Sequence, residues 1–275
     1  LLYTGGCCPH FSNEDDERLS PTARGFFENN TDEFDRVLRE IYEGNAGIVD
    51  SVLARKYGEF FLSGFTGKYG FDLMPNEGFK AAISENLADF GAFKAYAQQF
   101  DLKQLLVDEN GVVRSFSEFR RVAMPVVETY NKQWLYAEYN TTVASAQMAR
   151  NWHRYEEEAE LFPILEFVTS NDDRVRPAHR VLNGIKRKIT DAFWRTHYPP
   201  LGFGCRCRVG QHDDSAKVTD RVDMMRKVRD ANVPIEWQNN VGISGQVFTD
   251  KHPYVPSNRQ VREQIIKEVA GGNEA

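Results

Sequence analysis

From Thr31 to about residue 160 the apolar residues recur at the spacing of helix faces, and after Pro163 that spacing stops. Phe34, Val37, Leu38, Ile41 and Tyr42 fall at i, i+3, i+4, i+7 and i+8, one stripe of an amphipathic helix with Thr31 as its N-cap and Asn45 and Gly47 as its stop. Ile48, Val49, Val52 and Leu53 open a second helix, closed by a break at Gly64, Gly67 and Gly70. Phe79, Ala82, Ile83, Leu87 and Phe90 mark a third, which weakens past Phe93 and Tyr96. Asn110-Gly111 signals a turn. Ser115 and Glu118 then have the spacing of a capping box. They open a long helical stretch through Val122, Val126, Tyr130 and Trp134, with Pro125 as a kink or early-turn residue.

Beyond Pro163 the residues Ile164 to Thr169 read as a short strand, and Pro, Gly and Arg crowd the chain to Gly210. Val218, Val222, Met225 and Val228 suggest one further helix ending near Pro234, and Val261, Ile265, Ile266 and Val269 a last one. The expected fold class is therefore α+β: a mainly helical N-terminal half followed by a compact α+β module with short strands. The expected divisions are an N-terminal arm over 1–30, a helical region over 31–160, the module over 161–258 and a C-terminal helix or tail over 259–275.

With 275 residues the chain is long enough to bury a sizeable core. It has no apolar run near the ~18 residues of a membrane span, and its first residues do not form an intact signal peptide. Four cysteines are too few for a disulfide scaffold, so a reducing compartment is expected. The net charge of -6 excludes a globally basic nucleic-acid coat. Between Asn171 and Gly210, however, nine Lys and Arg meet three acids, a local +6 that leaves -12 for the rest. A polyanion senses the local field rather than the sum.

That basic stretch also holds the chemistry-bearing residues. His179, His197, Cys205 and Cys207 are candidate metal ligands, since thiolate and imidazole are the donors zinc prefers. The Cys-x-Cys spacing argues against the usual knuckle, and on a strand the two thiols would face opposite ways. Asp172 and Asp173 near His179 suit an acid/base pair or a metal-bound water, but suit better the capping of a helix starting near Val175 and pairing with nearby arginines. His153 reads as a packing or surface residue, and His212 and His252 as residues of polar loops. Lys186-Arg187-Lys188 is a compact cluster for phosphate contacts. No nucleophile elbow, His-Glu-x-x-His or phosphate-cradling glycine loop occurs, so no catalytic residue is assigned.

One pattern ties these residues together. Thr169-x-x-Asp172-Asp173-Arg174-Val175-Arg176-x-x-His179, then Gly184, Phe193-Trp194, Tyr198-Pro199-Pro200-x-Gly202-x-Gly204-Cys205-Arg206-Cys207-Arg208, resembles the phage Mu protein F-like family of minor head proteins. Tyr130-Asn131-x-x-Trp134-Leu135-x-x-Glu138-Tyr139-Asn140 upstream, and Asn240-Val241-Gly242-x-Ser244-Gly245 with His252-Pro253-Tyr254 downstream, are similar too, so the resemblance spans about residues 115 to 256. Phe203 stands where a Trp is more usual. The resemblance implies Asp172, Asp173, Arg174, Arg176, His179, Gly184, Trp194, Pro200, Cys205 and Cys207 as motif residues. It also implies a non-enzymatic head-morphogenesis protein of a tailed phage or prophage, with the portal protein, other head proteins and packaged DNA as partners and no membrane. Such a protein belongs in the virion head, and in the host cytoplasm during assembly. No cofactor is expected on that reading. A zinc-supported enzyme acting on nucleic acid or nucleotides is the alternative.

Overall fold

The structure is a computed structural model and describes residues 21–67, 71 and 74–272. Most of the expected arm, including Cys7-Cys8 and the acidic run from Glu14 to Glu17, lies outside the described residues. The arm's last part is helix α1 (Pro21–Asn29), whose Phe26 is buried and stacks on Tyr57 at 5.5 Å between centroids. This end of the arm is therefore core rather than loop. Elements α2 (Thr31–Glu43), α3 (Ser51–Gly67), α4 (Glu77–Lys103), α5 (Phe116–Glu128) and α6 (Leu135–Glu157) follow. Among the described residues no helix is long and apolar enough to cross a membrane.

The described residues divide into two compact units that interleave along the sequence: those of 21–62, 87–139 and 252–272 form one, and those of 63–86 with 140–251 the other. In the first, the α2 stripe is buried as its spacing requires, at Phe34, Val37, Leu38 and Ile41. The helix stops one residue earlier than expected, at Gly44, whose φ of 76° a side chain rarely adopts. The Asn30 backbone, not Thr31, occupies the cap position, with no side-chain capping bond. Helix α4 does not fade at Phe93; it continues to Lys103 with Lys94, Gln98, Gln99 and Asp101 buried along it. A Cβ at Gly91 would lie 2.5 Å from the Gly58 backbone nitrogen, so this pair sets the close approach of α3 and α4. The Ser115–Glu118 capping box is present with both of its bonds. Pro125 sits inside α5, and a π-helical turn, Thr129–Trp134, follows before α6. Helix α11 (Arg259–Gly271) buries Ile265 fully.

In the second unit α3 runs through Gly64 to Gly67, so these two glycines do not break the helix, and Gly70 lies outside the described residues. Strands β1 (Ile164–Val168), β2 (Lys186–Lys188) and β3 (Arg208–His212) form an antiparallel sheet in the order β2-β1-β3. Leu165 pairs with Arg187 on one side of β1 and with Gln211 on the other. Ile164, Leu165 and Phe167 are buried, as the central position of β1 demands. One-turn helices α7 (Pro177–Arg180) and α8 (Phe193–Thr196) lie between the strands in sequence. Helix α9 (Arg221–Ala231), capped by Asp220, is present, but Val222 and Met225 of its apolar stripe are 76% and 56% exposed. A one-turn α10 (Val241–Ser244) follows, its N-cap Asn240 also donating to the Trp194 carbonyl at 3.0 Å. A Cβ at Gly242 would lie 2.4 Å from that of Trp152, so α10 packs on α6 where only glycine fits.

Candidate functional site

Three segments of the second unit build the site: the end of β1 with the turn after it, the one-turn α7, and the chain from Leu201 into β3. Thr169 follows β1; its N–H donates to Asn183 Oδ1 at 2.9 Å and its hydroxyl lies 2.9 Å from Asn171 Oδ1. Asn171 has φ 54°, which turns the chain toward α7. Asp172 Oδ1 accepts from the Arg174 N–H at 3.1 Å, and both carboxylate oxygens take the Arg206 guanidinium at 2.6 Å. This fork holds the Asp172 carboxyl low, at about 2, with the Arg206 hydrogen bonds as the main cause. Asp172 is thus a brace between the turn and the Cys205-Arg206-Cys207 segment, not a group that exchanges a proton near neutrality. Asp173 is exposed.

Pro177 opens α7 at its first turn, and His179 is buried on it. Gly202 (φ 152°) and Gly204 (φ 64°) fold the next segment into a tight turn, closed by Cys205 N–H to the Gly202 carbonyl at 3.1 Å. An Arg176 guanidinium nitrogen donates to the Phe203 carbonyl and ties this turn to α7. Phe203 packs edge-on to Trp237, centroids 4.8 Å apart. Because Cys205 to Cys207 is a loop and not strand, both sulfurs can face one way. They lie 3.7 Å and 3.6 Å from His179 Nδ1, and the three donor atoms are all within 4.8 Å of one another.

The other ring nitrogen, Nε2, is 3.1 Å from the Leu201 carbonyl. A carbonyl only accepts, so Nε2 carries the hydrogen and Nδ1 presents its lone pair to the sulfurs. Pairing with Cys207 draws the Cys205 pKa well below the ordinary thiol value. The same pairing pushes Cys207 up.

His197 is not with them. It is buried, stacked on Phe193 at 5.2 Å, with Nδ1 at 2.9 Å from the Thr196 hydroxyl, and burial lowers its pKa to about 4. The four-ligand set drawn from sequence is therefore three in space. The basic cluster on β2 is also largely committed. Arg187 bonds Asp191 at 2.5 Å and the Thr219 carbonyl at 2.8 Å, and Lys186 lies 3.6 Å from Glu166, while Lys188 is exposed. Gly184 (φ 77°) turns the chain into β2, its N–H donating to the Phe167 carbonyl at 2.8 Å. Trp194 is buried, and Pro199–Pro200 is a cis peptide.

Sequence reasoning missed one participant in the site and misread two histidines outside it. The Leu201 carbonyl carries no residue-type signal. His212 is not in a polar loop: it ends β3, with Nε2 at 2.6 Å from Glu166 Oε2. His252 lies in a loop as expected, but it is buried, against Phe90 and Tyr254. The alternation of β3 and the aromatic neighbours of His252 were the available signals for the last two.

Residues 97–210, from within α4 to the middle of β3, match the family model of Phage Mu protein F like protein. The chain carries a Phage Mu F-like segment. Its matched stretch contains His179, both cysteines and the Asp172 brace, whereas the Asn240–Gly245 and His252–Tyr254 motifs lie beyond it. Over 107 residues the chain is 33% identical to "Putative capsid assembly protein F" of Escherichia phage Mu, covering 39% of this chain and 22% of the relative. It is 36% identical over 69 residues to the Mu-like prophage FluMu F protein of Haemophilus influenzae, 25% of this chain and 17% of that one. An uncharacterized protein of Methanocaldococcus jannaschii is 29% identical over 128 residues, 44% of this chain and 18% of the relative. The chain thus spans about a fifth of the length of the curated relatives it matches. No solved structure matches it significantly.

Proposed function

We propose that this Mu F-like chain is a minor head protein of a tailed phage or prophage, acting in head morphogenesis at the portal vertex. The single observation behind the proposal is the match of residues 97–210 to the family model, beside the 33% identity over 107 residues to a relative described as a putative capsid assembly protein. The site geometry supports a structural rather than a catalytic role. Asp172, the carboxylate best placed for acid/base work, is spent on Arg206, and Asp173 faces solvent. On this reading the partners are the portal and other head proteins, met in the host cytoplasm during assembly and kept in the virion head. DNA contact through β2 is not part of the proposal, because Arg187 is held by Asp191 and Thr219.

The test is co-expression of the full chain with the portal and major head proteins of the phage that encodes it, and mass spectrometry of its purified heads. Retention on the portal protein and a few copies per head are expected. A chain absent from heads and not retained by the portal protein overturns the reading.

A further inference from the structure

We propose that His179 Nδ1, Cys205 Sγ and Cys207 Sγ bind one zinc ion whose fourth ligand is a water or small anion from solvent. The site stands or falls independently of the head-protein reading. Its first support is distance. Zn–S bonds of about 2.3 Å and a Zn–N bond of about 2.0–2.1 Å, at tetrahedral angles, separate sulfur from nitrogen by about 3.6 Å. The two sulfurs lie 3.7 and 3.6 Å from Nδ1. A hydrogen-bonded cluster gives the one lone pair of Nδ1 to one thiol and the second thiol to the other sulfur, so it does not itself hold both sulfurs at the same distance from the ring. A cation at the centre of the triangle engages all three donors at once.

The second support is orientation. A metal-bound histidine is usually fixed by a hydrogen bond from its other ring nitrogen, and the Leu201 carbonyl supplies that acceptor at 3.1 Å. The third is donor chemistry. Two thiolates and an imidazole suit zinc and exclude magnesium and calcium, which take oxygen ligands.

Among the described residues no fourth His, Cys, Asp or Glu joins the cluster. Ser170, Arg174, Arg176 and Arg206 line the same cleft. Two thiolates neutralise the two charges of zinc, so the guanidinium-lined side attracts a water, hydroxide or small anion to the remaining corner. In the fold the ion would clamp the Leu201–Cys207 turn to α7.

The experiment uses the full chain carrying Cys7→Ser and Cys8→Ser, reduced and freed of metal by a chelator, and titrated with cobalt(II) and then zinc. One equivalent of cobalt per chain is expected, with thiolate-to-cobalt charge-transfer absorption and the intense d–d bands of tetrahedral coordination. Zinc should displace it and protect two thiols from a thiol reagent. Cys205→Ser and Cys207→Ser should each weaken binding by more than the roughly 10–100-fold typical of losing an outer-sphere partner. His197→Asn should leave binding unchanged. Circular dichroism of each variant separates ligand loss from unfolding, and the titration of the chain with Cys205 and Cys207 intact decides without any ligand variant. Failure of that chain to take up one equivalent of either metal overturns the site. So does uptake that persists undiminished in folded Cys205→Ser and Cys207→Ser. Azide should shift the d–d bands of the cobalt form; bands that do not move overturn the solvent-derived fourth ligand.

Discussion

Two polar clusters lie in this chain, one in each compact unit, and they are built on opposite plans. In the first unit Lys94 is fully buried on α4. Its ammonium donates to the Tyr130 carbonyl at 2.8 Å, lies 2.9 Å from Glu138 Oε2, and is flanked by the rings of Tyr57, Tyr130 and Tyr254 at 5.2–5.3 Å. Tyr254 donates to Glu138 Oε1 at 2.8 Å and Tyr130 to Asp101 at 2.9 Å. Tyr57, Gln98 and Asn131 close the set, with Tyr57 Oη 2.5 Å from Gln98 Oε1. The Lys94, Tyr130 and Tyr254 donors each have a carboxylate or carbonyl acceptor within the protein, so the buried charge is matched without a ligand. In the second unit the imidazole and two thiols of His179, Cys205 and Cys207 converge on one point with a single lone pair to share. The first arrangement is a polar core that fixes how helices pack. The second has the form of a binding site. The lesson is that burial and polarity do not separate the two, whereas counting donors against acceptors does.

The sharpest way to break this comparison is Lys94→Met. It leaves the Glu138 carboxylate buried without its cation, at a site where burial already pushes the carboxyl pKa up against the pull of Lys94. Removing one partner of a buried pair costs about 3–5 kcal/mol. Urea unfolding of the variant should show a loss of that order, and Lys94→Met with Glu138→Leu should recover a large part of it, since two apolar groups need no counter-charge. A single variant within 0.5 kcal/mol of wild type, roughly the spread of surface substitutions, would show that the cluster does not hold the core.

The same two clusters show what was legible in the amino-acid order. Local patterns carried through: the α2 stripe, the Ser115–Glu118 box and strand β1 each depend on residues within a few positions of one another. The second half of α4 was not legible, because Lys94, Gln98, Gln99 and Asp101 look like a solvated face and are buried. Their partners lie dozens of residues away, at Tyr130, Asn131 and Glu138 and, for Gln99, at the Gly47 and Ile48 carbonyls, and no local period reveals such pairing. In the His179 cluster the residue types were visible and their grouping was not. His197 is closer to the cysteines in sequence yet stacks on Phe193, while His179 reaches them because positive-φ Gly202 and Gly204 fold the intervening chain. The apolar pattern of α9 located its helix, although Val222 and Met225 of that pattern face solvent.

A smaller effect, separable by pH, belongs to the closed cluster. His252 is buried beside Lys94, and desolvation first, then the Lys94 charge, lowers its pKa to about 3. Its Nδ1 accepts the Tyr254 N–H at 3.2 Å. An unfolded histidine titrates near 6.5, so below about pH 6.5 the unfolded chain takes up a proton that the folded chain refuses. Stability is full above that pH and falls by about 1.4 kcal/mol per unit as pH drops toward 3. His197, lowered to about 4 by burial, adds a parallel loss in the second unit. His252→Asn keeps an acceptor for Tyr254 and removes the titration. Between pH 7 and 5 the variant should lose about 2 kcal/mol less than wild type in urea unfolding. Equal slopes would mean that the imidazole is protonated in the folded chain as readily as outside it.

The smallest effect expected comes from Asp172→Asn, and its smallness is the informative part. Like Lys94–Glu138, the Asp172–Arg206 pair is a direct ion pair, here with two contacts at 2.6 Å. Unlike it, both side chains are about 40% exposed, so water and salt screen the attraction and already solvate each partner when the other is gone. The turn it braces has independent ties, through Arg176 to the Phe203 carbonyl and Ser170 to the Arg206 carbonyl at 3.1 Å. Thermal melts of Asp172→Asn and wild type should therefore coincide within scatter at physiological salt, and at low salt the variant should melt slightly lower. A large drop at both ionic strengths would place Asp172 with Lys94 among the closed, core-holding groups. It would also show that the Cys205–Cys207 turn depends on a single charge pair rather than on the backbone bonds around it.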